Sequence, residues 1–536
     1  MIAKRKTLVS LLLALAILAT ACGPASTPEP TPPDEPYVVP RDEPAPTEAP
    51  MMSLPAPAAT YSADAGAAGA PVPSYRKNRE PYDMFFEDYG VNPSIDTEDD
   101  NLSTFALDVD TGSYTVMRNY LSEGSLPPAE SVRVEEYVNF FGQGYPSPPE
   151  HQAFSINLDG GPSPFSETER YQVLRVGIQG YAVPDDERKD ASLTFVIDVS
   201  GSMDMDNRLG LVKRSLELLV ERLRPNDQVS IVVYGTDARV VLDPTPGSRK
   251  GKILSAIYSL QPEGVTNAEA GLRLGYKMAM RAYNPDGINR VILCSDGVAN
   301  MGKTESDAIL REIRGYVEEG IAMTSIGFGM DNYNDVLMEQ LANDGNGFYA
   351  YVDDIKEAQR LFLDNLTSTL QTIALDAKVQ VDFNPEVVSR YRLVGYENRA
   401  IADEDFRDNE VDAGEIGAGH TVTALYEIKL YPEAYGRIAT VYLRWEDPDT
   451  HDVVEMSKDI NASEMAESFR RADPHFQWAV VVAEYAEILR ESYWADEGGL
   501  PAVYEEAERI SDLLSRDEDV FEFIDLARQA MRLARR

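Results

Sequence analysis

The stretch Leu193-Thr-Phe-Val-Ile-Asp-Val-Ser-Gly-Ser-Met203 decides how this chain folds. Leu193 to Ile197 are largely apolar and partly β-branched, and a run of that kind suits a parallel strand covered on both faces. Such a strand lies at the centre of its sheet. It ends in Asp198, Ser200 and Ser202, spaced two apart, so a loop at its carboxyl end can aim one carboxylate and two hydroxyls into the same space. Oxygen groups gathered in this way are part of the shell that a hard cation needs.

Two further stretches supply the same chemistry. Gly264-Val-Thr-Asn267 precedes an amphipathic segment, and Val291-Ile-Leu-Cys-Ser-Asp-Gly297 is an apolar strand closed by an Asp. Together with Asp198-Val-Ser-Gly-Ser202 they resemble, in order, the three parts of the metal-ion-dependent adhesion site of the von Willebrand factor type A family. A lone D-x-S-x-S arises by chance in many chains, whereas three parts in order on the right elements form a joint signal. The resemblance implies that Ser200, Ser202 and Thr266 coordinate a divalent ion directly. It also implies that Asp198 and Asp296 hold the ion mainly through bound water and by fixing the hydroxyls. An all-oxygen set selects Mg²⁺, or Mn²⁺ or Ca²⁺, over zinc. Neutral direct ligands leave the ion electrophilic, so an Asp or Glu of a protein partner can complete its shell.

Other readings of these residues stay open at the level of sequence. In a vestigial pocket the hydroxyls would cap the following helix and no metal would bind. A serine nucleophile lacks the G-x-S-x-G elbow, and His151, His420, His451 and His475 all fall outside the central domain. Metal-dependent hydrolysis is the distant alternative, for which no general base suggests itself. Gly329-Met-Asp-Asn-Tyr-Asn-Asp335 reads as a loop with Asp331 or Asn334 capping the next helix, rather than as part of the metal rim.

Outward from this core, residues 191–372 alternate strand and helix. Leu209–Leu223 carries a helical stripe ended by Pro225; Val229–Tyr234 and Arg239–Leu242 read as strands, and Ile253–Leu260 and Ala268–Ala282 as helices. After the strand ending at Asp296 come a helix at Ser306–Glu318, a strand at Ile321–Phe328, a helix at Asp335–Ala342, a strand at Gly347–Tyr351 and a helix at Ile355–Leu370. That order calls for an α/β fold with a doubly wound, mainly parallel sheet, whose ligands bind at the carboxyl ends of the strands.

The flanks are of a different class. In 81–150, read as an N-terminal extension domain, Leu102–Asp110 alternates into a strand, and Tyr114–Leu121 and Val132–Phe141 suit short helices. Ser103–Tyr114, Leu126-Pro-Pro and Arg133–Phe141 resemble the N-terminal extension of one bacterial subfamily of type A proteins. Asp108-Val-Asp-Thr111 mimics the nucleophile motif of haloacid-dehalogenase-type phosphatases, but too few residues remain before the next domain for their sheet, so both Asp read as turn and cap residues. Phe154–Leu158 and Tyr171–Ile178 are strand-like, with a turn at Gly160–Pro164. Strands return in 373–460 at Val379–Phe383, Tyr391–Val394, Val422–Leu430 and Ala439–Trp445, where the text resembles a C-terminal domain of unknown function from the same subfamily. Neither strand set alone can bury two faces, so those of 151–190 are expected to pair with those of 373–460, which makes the type A domain an insertion in, or a neighbour of, one β-sandwich. Phe476–Glu491, Ala502–Leu514 and Val520–Leu533, within 461–536, are amphipathic helices.

The amino end reads as an export signal. Lys4, Arg5 and Lys6 precede an apolar run, Leu8–Ala19, that is too short to span a bilayer with these flanks. Leu18-Ala-Thr-Ala-Cys22 then resembles a bacterial lipoprotein processing site, which implies a signal peptide over 1–22 and lipidation of Cys22; cleavage without lipid and an uncleaved anchor are the alternatives. Residues 23–80, rich in Pro, Ala and Thr, read as an extended tether. Cys294, the one other cysteine, sits in an apolar strand and reads as a core residue. With 49 basic against 90 acidic residues and a net charge of −41, the surface repels nucleic acid and anionic lipid. The expectation is an extracytoplasmic protein of the cell envelope, lipid-anchored to a membrane, that is not an enzyme and binds an acidic residue of a protein partner through a divalent cation. A structural component of an envelope assembly is the second reading. Oligomeric state is not legible.

Overall fold

The computed structural model describes residues 84–535, apart from 150, 167, 169, 298–302, 330–333, 496, 497, 515 and 516. Residues 1–22, expected to be a signal peptide ending at Cys22, and the tether expected over 23–80 lie outside the described residues. Ahead of the central unit come β1 (Ile95–Asp96), β2 (Leu102–Ala106), α1 (Gly112–Ser122), α2 (Val134–Asn139), β3 (Phe154–Pro162) and β4 (Tyr171–Gly180). The central unit follows with β5 (Ala191–Asp198), α3 (Arg208–Arg222), β6 (Gln228–Tyr234), β7 (Ala238–Pro246), α4 (Lys250–Tyr258) and α5 (Ala268–Arg281). It continues through β8 (Ile288–Ser295), α6 (Lys303–Glu318), β9 (Ala322–Gly327), α7 (Asp335–Asn343), β10 (Tyr349–Tyr351), α8 (Ile355–Gln359) and α9 (Leu366–Leu370). Last come β11 (Thr372–Phe383), β12 (Val388–Val394), β13 (Gly414–Gly417), β14 (Thr421–Leu430), β15 (Arg437–Glu446), β16 (Val453–Asn461), α10 (Pro474–Leu489), α11 (Gly499–Ser511) and α12 (Glu518–Ala534).

The central sheet has the strand order β10-β9-β8-β5-β6-β7, parallel throughout except for β7. β5 lies inside it, and all eight of its residues are buried. Its side chains alternate between two cores. Leu193, Phe195 and Ile197 join the one built with α3 and α4, while Val196 joins Leu272 and Tyr276 of α5 on the opposite face. Two covered faces explain the unbroken apolar run. α5 approaches this sheet through Gly271 and Gly275, where a Cβ would strike Tyr234 and Val196 respectively. That close seat holds the loop before α5 against the carboxyl end of β5.

The chain leaves a β-sandwich after β4 and re-enters it at β11. One sheet runs β1-β12-β14-β4-β3, the other β13-β11-β15-β16 with β2 also paired to β11. β4 joins β14 in an unbroken antiparallel register from Gln179↔Thr421 to Tyr171↔Lys429. Leu174, Val176 and Tyr426 from the first sheet meet Val379, Val381 and Val441 from the second in one core. Neither sheet could bury that face alone. α1 and α2 pack instead with the C-terminal helices, bringing Tyr114, Tyr137 and Phe141 against Trp478, Tyr485 and Phe523.

Three features differ from expectation. β3 runs through Gly160 and Gly161, read as a turn, because Met465 and Ala466 cross over them in space that side chains would fill. The helix expected at Ile355–Leu370 is broken by a π-helical turn, Arg360–Asp364, which places the Arg360 guanidinium 4.0 Å from the centroid of the Phe140 ring and against Asp519. Asp108 does accept a turn bond from the Asp110 amide, but neither caps α1: both pair with Arg399, which also holds Glu339. Buried ion pairs recur where the parts of the chain meet. Arg118 of α1 bonds Asp353 beside α8 at 2.6 Å and Glu522 of α12 at 3.0 Å.

Candidate functional site

The site lies at the carboxyl edge of the central sheet, where β5 and β8 end side by side. Asp198, fully buried at the end of β5, accepts hydrogen bonds from the Ser200 amide at 2.7 Å through one oxygen and from the Ser295 hydroxyl at 3.1 Å through the other. The first contact folds the loop back on itself and turns Ser200 toward the carboxylate. The Ser200 and Ser202 hydroxyl oxygens then stand 3.0 Å apart. Asp296 follows β8 and is 4 % exposed, and the nearby Ser202 hydroxyl favours the charged form of its carboxylate. Four of the five candidate residues, Asp198, Ser200, Ser202 and Asp296, are therefore in one connected constellation.

Thr266, the fifth, is half-buried in the neighbouring loop. That loop is pinned to the first by the Gly201 amide, which donates to the Gly264 carbonyl at 3.2 Å. Gly264 has φ +73, and a Cβ there would run into Thr236, so the tight turn needs glycine. Asn267 caps α5, accepting from the Ala270 amide at 3.1 Å. Asn334 does the same for α7 from the Leu337 amide, also at 3.1 Å, while Asp331 lies outside the described residues.

The two carboxylates are in an environment that resists their charge. Burial, with some help from Asp296, pushes the Asp198 carboxyl up to about 6 against the opposing bonds from Ser200 and Ser295. Burial also raises that of Asp296, opposed by the Ser202 hydroxyl and by the Arg208 guanidinium. Arg208, the first residue of α3, donates to Asp296 at 2.8 Å. Sequence reasoning missed both Arg208 and Ser295. The signal for Ser295 was its place immediately before Asp296; that for Arg208 was a charge opening an apolar helical stripe.

The donor set fits a hard divalent ion. Metal–oxygen bonds of 2.0–2.1 Å in an octahedron put adjacent ligands about 2.9 Å apart, close to the spacing of the two serine hydroxyls. Among the described residues no group of three or more His, Cys, Asp and Glu side chains is placed to hold a metal, so an ion here would depend on hydroxyl oxygens. Cys294, fully buried in β8, has its thiol pushed up by burial and takes no part.

Residues 192–364 match the profile of the von Willebrand factor type A domain. The chain carries a von Willebrand factor type A domain. This is a protein-interaction and adhesion fold. Residues 80–174 match a profile described as von Willebrand factor, and 368–435 and 432–533 match the C-terminal region of the uncharacterized protein YfbK. YfbK of Escherichia coli strain K12 is 39 % identical over 352 residues, which are 64 % of this chain and 61 % of YfbK. The uncharacterized protein sll0103 of Synechocystis is 29 % identical over 206 residues, 38 % of this chain and 47 % of that one. This chain thus spans about three fifths of the first relative's length and under half of the second's. A solved von Willebrand factor type A structure from Catenulispora acidiphila matches with a TM-score of 0.41 and 14 % identity, over 64 % of this chain and 81 % of that one.

Proposed function

We propose that the type A domain binds a protein partner through a divalent cation, Mg²⁺ or else Mn²⁺ or Ca²⁺, held by Asp198, Ser200, Ser202, Thr266 and Asp296. The observation that carries this reading is the serine pair 3.0 Å apart beside two buried carboxylates. Burying two acids so close together is costly without a counter-charge, and a cation supplies more of it than Arg208 alone. The bound ion supplies a Lewis-acidic position open to one further oxygen. The chain's own groups do the rest: Ser200 and Ser202 offer neutral donors, Asp198 orients Ser200 through its amide, and Ser295 fixes Asp198. A partner's Asp or Glu is the ligand such a vacancy selects.

In this reading the protein works in the cell envelope, outside the cytoplasm, anchored by lipid on Cys22 and held off the membrane by the tether. Among the described residues no helix is long and apolar enough to cross a membrane. The reading is tested by capture of binding partners on the purified full chain, with and without chelator, beside the Asp198→Ala variant. Loss of the same partner under both treatments supports it. A partner that stays bound through chelation and the substitution contradicts it and favours a structural role in an envelope assembly.

A further inference from the structure

Eight arginines are buried among the described residues, and seven of them hold a carboxylate. Arg290 is the eighth. It lies near the start of β8 and is 3 % exposed. Its Nη1 donates to the Thr324 hydroxyl of β9 at 2.7 Å and its Nη2 to the Thr372 hydroxyl of β11 at 3.2 Å, while Nε is buried without a partner. Both partners are neutral. The acid whose charge bears on the guanidinium is Glu415 of β13, which makes no ion pair with it. The Glu415 carboxyl is itself pushed well above its ordinary value by burial and by Asp412 and Asp376. Burial pulls the Arg290 guanidinium down to about 10, with Glu415 opposing. A charge taken out of water without a counter-charge is destabilising, and the other seven arginines show how this chain ordinarily avoids that.

Arg290 and Thr372 line a cavity of about 410 Å³. The bond toward Thr372 is the less buried of the two, so the guanidinium opens on that side. Lys189 and Gln371 line the same cavity; the Gln371 oxygen is engaged by the Lys189 amide, which leaves its –NH₂ as a further donor. The acids of the wall, Glu318, Glu319 and Asp449, are exposed, and Asp449 is paired with Lys189. The buried part of the cavity is therefore positive and rich in donors. We infer that it binds a small oxyanion, a phosphate or carboxylate group, on the Arg290 guanidinium. Only two of that group's five N–H donors are used within the protein, and its planar fork matches two oxygens of such an anion. The cavity lies toward the other end of β8 from Asp296, about 20 Å away at about 3.3 Å per residue, and the inference does not depend on the cation reading.

The experiment titrates the purified full chain and its Arg290→Gln variant with inorganic phosphate and, separately, with acetate, by isothermal titration calorimetry at neutral pH and constant ionic strength. The wild type is expected to bind at least one of them saturably. Phosphate alone points to a phosphorylated ligand and acetate alone to a carboxylate, and either supports the inference. Arg290→Gln is expected to bind at least roughly tenfold more weakly, the loss of a hydrogen bond to a charged group. If the variant does not fold, wild-type crystals grown with selenate are expected to show an anomalous peak within about 4 Å of Arg290 Nη2. Absence of saturable binding of either anion to the wild type, equal binding by Arg290→Gln, or a selenate map without that peak overturns the inference.

Discussion

Replacing Arg399 by Met should uncouple three parts of the chain at once. Arg399 follows β12, and its guanidinium reaches Asp108 at 2.9 Å and Asp110 at 3.4 Å in the segment after β2, and Glu339 of α7 at 2.9 Å. All three acids have side chains at most 6 % exposed. Methionine fills much of the space and supplies none of the charge, so buried carboxylates are left without their partner, a change that costs about 3–5 kcal/mol. Unfolding entropy of about 2.1 cal/mol/K per residue over about 450 residues gives about 0.95 kcal/mol/K, so the melting temperature should fall by about 3–5 °C if this part unfolds as one. The deficit should depend on pH. Burial and the neighbouring Asp108 already raise the Asp110 carboxyl well above its ordinary value, and losing Arg399 raises it further. A folded-state acid with a raised pKa binds its proton more readily than in the unfolded chain, so stability rises as pH falls toward the ordinary carboxylate range. Differential scanning calorimetry at pH 8.0 and pH 5.5 is the assay. The reasoning is refuted by a variant that melts within about 1 °C of the wild type at pH 8.0, or by a deficit equal at both pH values.

Further predictions follow from other buried groups. Burial, then Glu397 and Glu136, push the Glu135 carboxyl up to about 8, so its contribution to stability is largest near its ordinary value of 4.5 and is lost as pH rises toward 8; Glu135→Gln should flatten the pH dependence of melting over that window. Gly347→Ala drives a Cβ into the Met323 carbonyl between β9 and β10, and should cost about 1–3 kcal/mol, read from denaturant midpoints at unchanged slope. Cys294 is fully buried and its thiol is pushed up by burial, so an aromatic disulfide reagent should leave it unmodified in the native protein and modify it once the protein is unfolded.

The central unit was legible because its chemistry is local. An apolar run covered on both faces, helical stripes and a polar triplet at a strand's end are each written in consecutive residues. The same holds for Asn334, whose capping role followed from its place before an apolar helical stripe. What escaped was set by distant partners. β16 exposes most of its side chains, with Ile460 the buried exception, so it shows no apolar pattern; it exists because β15 pairs with it along its length. β13 is half glycine, and a side chain on Gly414 or Gly417 would collide with the backbone of Leu107 or Ser368. Arg208 belongs to the same class. Nothing beside it in sequence reveals that Gly329, over a hundred residues later, clears the space for its guanidinium.

Crystals of the chain grown with Mn²⁺ provide the most direct measurement, through the anomalous difference map. The account predicts one strong peak within about 2.0–2.6 Å of the Ser200 and Ser202 hydroxyl oxygens, absent in Asp198→Ala crystals. A map with no peak there, or with its strongest peak elsewhere on the protein, contradicts it.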